Sequence, residues 1–225
     1  MQIKSLRIFN GFEEFNKFSN FLEESSWNIE KELLKDRVIK YQKNPYFIEL
    51  SQDFKSKKLS IWDLKPEEVI TWFDTMLLIR RLFILLFKKG IKTDQINLIL
   101  EYPLVFGNHM RSDYLIVYDR LIVVLEFGMF NQDEKRSEER YTKKLQESIN
   151  YRQLLANMVQ SQIDVVNYVM IYRPEFSRIN STRLNDNILY NNEELARLGN
   201  FLKIHIDHQN ELSAIEQLKK IALAE

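Results

Sequence analysis

The chain has 225 residues, 32 of them Lys or Arg and 32 Asp or Glu, so its formal net charge is zero; it has no cysteine. Without cysteine there is no disulfide scaffold, zinc–thiolate site, Fe–S cluster or cysteine nucleophile, and the charge balance excludes a protein that coats nucleic acid by bulk electrostatics. With 45% hydrophobic residues, five glycines and four prolines, the chain is neither disordered nor fibrous and is long enough for a sizeable core in one or two domains.

Residues 1–92 carry 17 basic and 13 acidic side chains, residues 93–225 carry 15 and 19, so a +4 front half faces a −4 back half. No secretory apolar stretch follows Met1, and the absence of cysteine accords with a reducing cytoplasm. The most apolar window, 71–87, is interrupted by Asp74, Arg80 and Arg81; it reads as a buried amphipathic helix and not as a membrane span.

Residues 1–92 are expected to form a helical region. Phe12, Phe15, Phe18, Phe21 and Leu22 recur at helical spacing, with Asn10 as a candidate cap. Residues 30–38 continue with helix formers until Asn44-Pro45 breaks the pattern. Lys65-Pro66-Glu67-Glu68 starts a helix that runs to about Lys89, where Gly90 terminates it.

The period then changes. Residues 96–100, 114–118, 121–125 and 165–172 are short Ile/Val/Leu/Tyr runs, expected as strands. A long charged helix over about 137–160 separates the last two, with Tyr141, Leu145, Ile149, Leu154, Leu155 and Met158 on its apolar side. A final helix is expected over 211–224. The fold class is thus α/β, with a β-β-β-α-β core over 93–225 and a mixed sheet flanked by helices.

The chemistry concentrates where two apolar strands flank Asp119-Arg120. A two-residue turn there pairs 118 with 121 and, by the same count, Asp113 with Glu126, with Cβ atoms roughly 5 Å apart on one side of the sheet. Asp-Arg is not a favoured hairpin turn, so a bulge could shift this register. Two carboxylates so placed repel unless one is protonated or a divalent cation lies between them. Mg²⁺, bound by one or two carboxylates, water and substrate phosphate, would polarise a phosphoryl oxygen and activate water. Glu101, at the end of the preceding strand, could supply a third carboxylate.

Glu101-Tyr102-Pro103-Leu104, Arg111-Ser112-Asp113 and Leu125-Glu126-Phe127, followed by the long helix and the 165–172 strand, resemble the core of the PD-(D/E)xK nuclease superfamily, with its restriction-endonuclease-like fold. The resemblance covers residues 75–175. It implies a Mg²⁺- or Mn²⁺-dependent nuclease acting on DNA, or alternatively RNA, in DNA processing or phage defence. Asp113 and Glu126 would be catalytic and metal-holding, and Glu101 would assist with the metal. The family's lysine belongs two residues after Glu126, where this chain has Gly128. Lys143 and Lys144 on the following helix are the leading replacements; Lys135, Gln132 and Arg152 are others.

Plainer readings stand beside these. Asp113 could simply pair with Arg111, and Glu101 could be an ordinary strand-end acid. Lys55–Lys58 and the acid-free window 80–92 could follow a nucleic-acid backbone or be solvated surface. His109 could contact phosphate, whereas His205 and His208 lack the company a zinc site needs. The principal rival function is a nuclease fold without catalysis, serving as a nucleic-acid- or protein-binding assembly module, with a protein partner or as a homo-oligomer. A third is a regulatory protein whose aromatic N-terminal helices bind a protein partner.

Overall fold

The computed structural model describes residues 3–104, 110–130, 133–174 and 190–222. Five strands form one mixed sheet in the order β1 (Arg7–Asn10), β2 (Asn97–Pro103), β3 (Arg111–Tyr118), β4 (Leu121–Met129) and β5 (Asp164–Tyr172). The first four are antiparallel to their neighbours, and β5 runs parallel to β4. A parallel pair needs a crossover; here it is helix α5 (Glu134–Met158). The α/β class with a mixed, helix-flanked sheet is therefore as the sequence indicates.

The N-terminal region is not wholly helical. It contributes β1, which pairs with β2, before α1 (Phe12–Glu24), α2 (Leu34–Tyr41), α3 (Pro45–Ser56) and α4 (Pro66–Lys88). One continuous hydrophobic cluster joins these helices to the sheet, from Leu6 to Ile206. The cap of α1 is Gly11 at φ 88 rather than Asn10, because a Cβ at Gly11 would lie 2.6 Å from the Asp94 carbonyl oxygen. Asn44-Pro45 does more than break a pattern: the Asn44 side chain accepts the Tyr46 N–H at the start of α3. At the C-terminus, α6 (Asn191–Glu211) precedes α7 (Ala214–Ala222), so the single expected terminal helix is only the second of a pair. The α6 stripe Leu195, Leu198, Leu202 and Ile206 is buried, and Gly199 lets the helix approach Leu85 of α4.

Alternation divides the sheet's side chains between two faces. Leu98, Leu100, Tyr114, Ile116, Val123, Leu125 and Met170 face the cluster that contains α4. Ile99, Leu115 and Val124 face α5 through Tyr151 and Leu155. Helix α4 explains its own interruptions. Asp74 has no exposure and takes both ends of the Arg37 guanidinium at 2.7 Å, plus the Trp27 indole N–H at 2.9 Å. Arg80, also buried, donates to the Asn16 carbonyl and the Ser19 hydroxyl. Arg80 thus ties α4 to α1 and does not belong to a solvated or nucleic-acid-facing basic window. No described helix is long and apolar enough to cross a membrane.

Candidate active site

The β3–β4 hairpin keeps the register that its polar break implies. Tyr118 pairs with Leu121, and the ladder runs without a shift to Tyr114 opposite Leu125. Asp119 absorbs the unfavourable turn by taking φ 48, a left-handed conformation that Asp tolerates better than most residues. One step further along, side chains replace the backbone ladder. Glu126 Oε1 accepts the Asp113 N–H at 3.0 Å, and Asp113 Oδ2 accepts the Phe127 N–H at 2.8 Å. The two carboxylates are thereby braced on the face that looks at α5.

Lys144 projects from α5 between them. Its Nζ lies 2.9 Å from Glu126 Oε2 and 3.3 Å from Asp113 Oδ2, with Glu147 at 3.8 Å. Glu126 has no solvent exposure, while Asp113 and Lys144 retain about a quarter of theirs. Burial, then the Asp113 charge, pushes the Glu126 carboxyl up to about 8 against the opposing pull of Lys144. Burial alone would lower the Lys144 ammonium, but Asp113 and Glu126 outweigh it and hold it above the usual lysine range. Lys144 therefore stays protonated and serves as a cation, not as a base.

The two helix lysines part company here. Lys143 points to solvent, 78% exposed, with Glu147 3.9 Å away. Lys144 shares the sheet-facing side of α5 with buried Ser148, Tyr151 and Leu155, at offsets of four, seven and eleven. That spacing is the sequence signal which separates 144 from 143. Lys135 is exposed and Arg152 partly so, and neither forms an ion pair with Asp113 or Glu126. Gln132 and His109 lie outside the described residues.

Gly128 shares a face with Glu126, and the space a side chain would need is filled. A Cβ there would sit 2.4 Å from Ile171 Cδ1 and 3.3 Å from Arg140 Cγ of α5. A side chain at 128 would have to displace the tip of Ile171 and the stem of Arg140; in this chain the cation reaches the carboxylates from the helix.

Glu101 takes a different part from the one its position suggests. Alternation would turn it toward α5 with Ile99, but its backbone adopts φ 55. Its carboxylate instead accepts the indole N–H of Trp72 on α4 at 2.8 Å and Arg111 Nε at 2.7 Å. Burial raises Glu101 to about 7 despite Arg111. Arg111 also reaches Glu68 at 2.8 Å and lies over the Phe54 ring. The plain pairing of Asp113 with Arg111 does not form; Arg111 belongs to the Glu101–Glu68 set. No group of three or more His, Asp or Glu side chains converges as a metal-holding set among the described residues. His205 packs against the Phe201 ring.

The hard oxygens of Asp113 and Glu126 nevertheless fit a cation of the Mg²⁺ or Mn²⁺ type, which takes one or two carboxylates and completes its shell with water and phosphate. Asp113 Oδ1 makes no hydrogen bond with any described residue.

Beside the pair opens a cavity of about 320 Å³. It lies between α4 and α5, where the ladders of β2, β3 and β4 end. Asp113 and Lys144 form part of its wall, and Trp72, Tyr114, Phe127 and Tyr151 are among the other lining residues. These aromatic lining residues carry no motif, and only their assembly by α4, β3, β4 and α5 exposes them as a set. No protein-family model, no curated protein and no solved structure matches this chain.

Proposed function

We propose that the protein is a metal-dependent phosphodiesterase of the PD-(D/E)xK type that hydrolyses DNA, or alternatively RNA. The observation that carries this reading is the convergence of Asp113, Glu126 and Lys144 at the rim of a cavity. The order of antiparallel β2, β3 and β4, the α5 crossover and parallel β5 supports the restriction-endonuclease-like arrangement expected from the sequence.

A bound Mg²⁺ or Mn²⁺ would polarise the phosphoryl oxygen and lower the pKa of a water. The chain's own residues divide the remaining work. Asp113 and Glu126 would hold the cation, and their mutual backbone hydrogen bonds fix both carboxylates before it arrives. Lys144, held protonated, would place its charge against the phosphate oxygens as negative charge builds up. Neutral net charge is no obstacle, since a local cation decides the sign that an approaching phosphate meets.

The test is incubation of the purified protein with DNA and RNA in Mn²⁺, beside Asp113→Ala and Lys144→Met. Cleavage by the parent and its loss in both variants supports the reading. Equal cleavage by all three locates the activity elsewhere, and absence of cleavage with retained nucleic-acid binding favours the non-catalytic module.

A further inference from the structure

We infer that the cavity beside Asp113 and Lys144 receives a single unpaired nucleotide, so that the substrate is single-stranded or frayed nucleic acid and not closed duplex. This deepens the phosphodiesterase reading and rests on it.

Size is the first ground. About 320 Å³ falls at the low end of the roughly 300–1,000 Å³ of clefts that enclose small ligands. A nucleotide fits such a recess, whereas a duplex meets only its rim. A base still paired and stacked has to leave its helix to enter.

Charge is the second. Arg111 and Lys144 are the lining cations among the described residues. Arg111 is spent on Glu101 through Nε and on Glu68 through a terminal nitrogen. The interior therefore offers no uncommitted cation to phosphate, and the phosphate belongs at the mouth, beside Lys144. What suits the interior is a neutral, planar group.

The walls are the third. Trp72, Tyr114, Phe127 and Tyr151 come from four different elements and line one space. Aromatic side chains accept any base by stacking, with little regard to sequence. Tyr151 is 6% exposed, and its hydroxyl makes no hydrogen bond with any described residue. That hydroxyl is available to hydrogen-bond a sugar or base edge in the cavity. Glu68 Oε1 is likewise unengaged and can accept from an exocyclic amine.

Binding of a five-nucleotide oligothymidylate and of a duplex closed at both ends by hairpin loops, measured by fluorescence anisotropy in Ca²⁺, tests this alongside cleavage of both in Mn²⁺. Two variants accompany the parent. Thr71→Trp fills the cavity from α4, and Tyr151→Phe removes only the hydroxyl and keeps the ring. The expected result is at least tenfold tighter binding of the oligomer than of the closed duplex. Thr71→Trp abolishes that preference, and Tyr151→Phe weakens oligomer binding severalfold. Equal binding of the two probes, unchanged in both variants, overturns the inference even if the parent cleaves nucleic acid. Cavity-dependent oligomer binding without any cleavage upholds the nucleotide site and sinks the hydrolytic reading.

Discussion

The ammonium of Lys144 lies 2.9 Å from a carboxylate oxygen of Glu126, a side chain with no contact with solvent. Breaking a buried ion pair by removing one partner costs about 3–5 kcal/mol, chiefly because the other charge is stranded. Lys144→Met falls somewhat below that range, because the lysine keeps 25% exposure. The loss is larger at pH 9 than at pH 5, where Glu126 carries its proton. Denaturant melts at the two pH values check this; equal losses would show that the ammonium does not compensate Glu126.

Asp113→Asn retains an oxygen to accept the Phe127 N–H but removes the negative charge. The fold survives, and Mn²⁺-dependent cleavage falls by about a hundredfold or more, equivalent to roughly 2.7 kcal/mol of activation free energy. Single-turnover rates at saturating metal and substoichiometric metal separate lost affinity from lost chemistry.

The raised carboxyls set a direction for the pH dependence. Glu126 moves from 4.5 to about 8 and Glu101 from 4.5 to about 7, burial being the main cause in both. A group that binds its proton more tightly when folded contributes stability that is complete below its unfolded pKa and disappears as pH rises through the folded one. The metal-free melting temperature therefore declines between pH 5 and pH 9. Glu126→Gln flattens that decline. Mn²⁺ replaces the proton, so its affinity increases with pH up to about 8 and then levels off, and calorimetry in buffers of different ionisation enthalpy detects the released proton. A metal affinity independent of pH would contradict this linkage.

A lysine placed at position 128, where the superfamily that the sequence resembles carries one, does not substitute for Lys144. The new Cβ meets Ile171 Cδ1 at 2.4 Å, and overpacking of this kind costs about 1–3 kcal/mol. Gly128→Lys lowers the melting temperature, and the double variant Gly128→Lys/Lys144→Met remains as inactive as Lys144→Met alone. Recovered cleavage would mean that β5 and α5 yield more readily than their packing implies.

The other ionic centre supports the frame and not the site. Arg37→Met leaves Asp74 buried with only the Trp27 N–H to oppose its charge, a loss of about 3–5 kcal/mol. Arg37→Met/Asp74→Leu removes both charges and recovers most of that. Chemical denaturation of the three proteins measures the difference.

Much of the sheet could be read from spacing. The polar break at Asp119-Arg120 lies between two apolar runs, and a shift of one residue would turn every side chain to the wrong face. The pairing of Tyr114 with Leu125, and with it the approach of Asp113 to Glu126, follows from counting outward from the turn. Helix α4 was equally plain, from Pro66 to Gly90. Helix α6 was less so: its apolar stripe is diluted by polar residues and by Gly199, which reads as a breaker in sequence but in space permits close contact with Leu85.

The sequence alone determined four of the five strands, the facing carboxylates and the absence of a lysine at 128, because these depend on local period and on position along the chain. Tertiary structure decided which cation serves them and which acid does not. The rotation of α5 against the sheet turns Lys144 inward and Lys143 outward. The positive φ of Glu101 carries its carboxylate to Trp72 and Arg111, beyond what alternation predicts. Both outcomes come from packing between elements far apart in the chain, which fixes orientations that residue spacing within a single element leaves open.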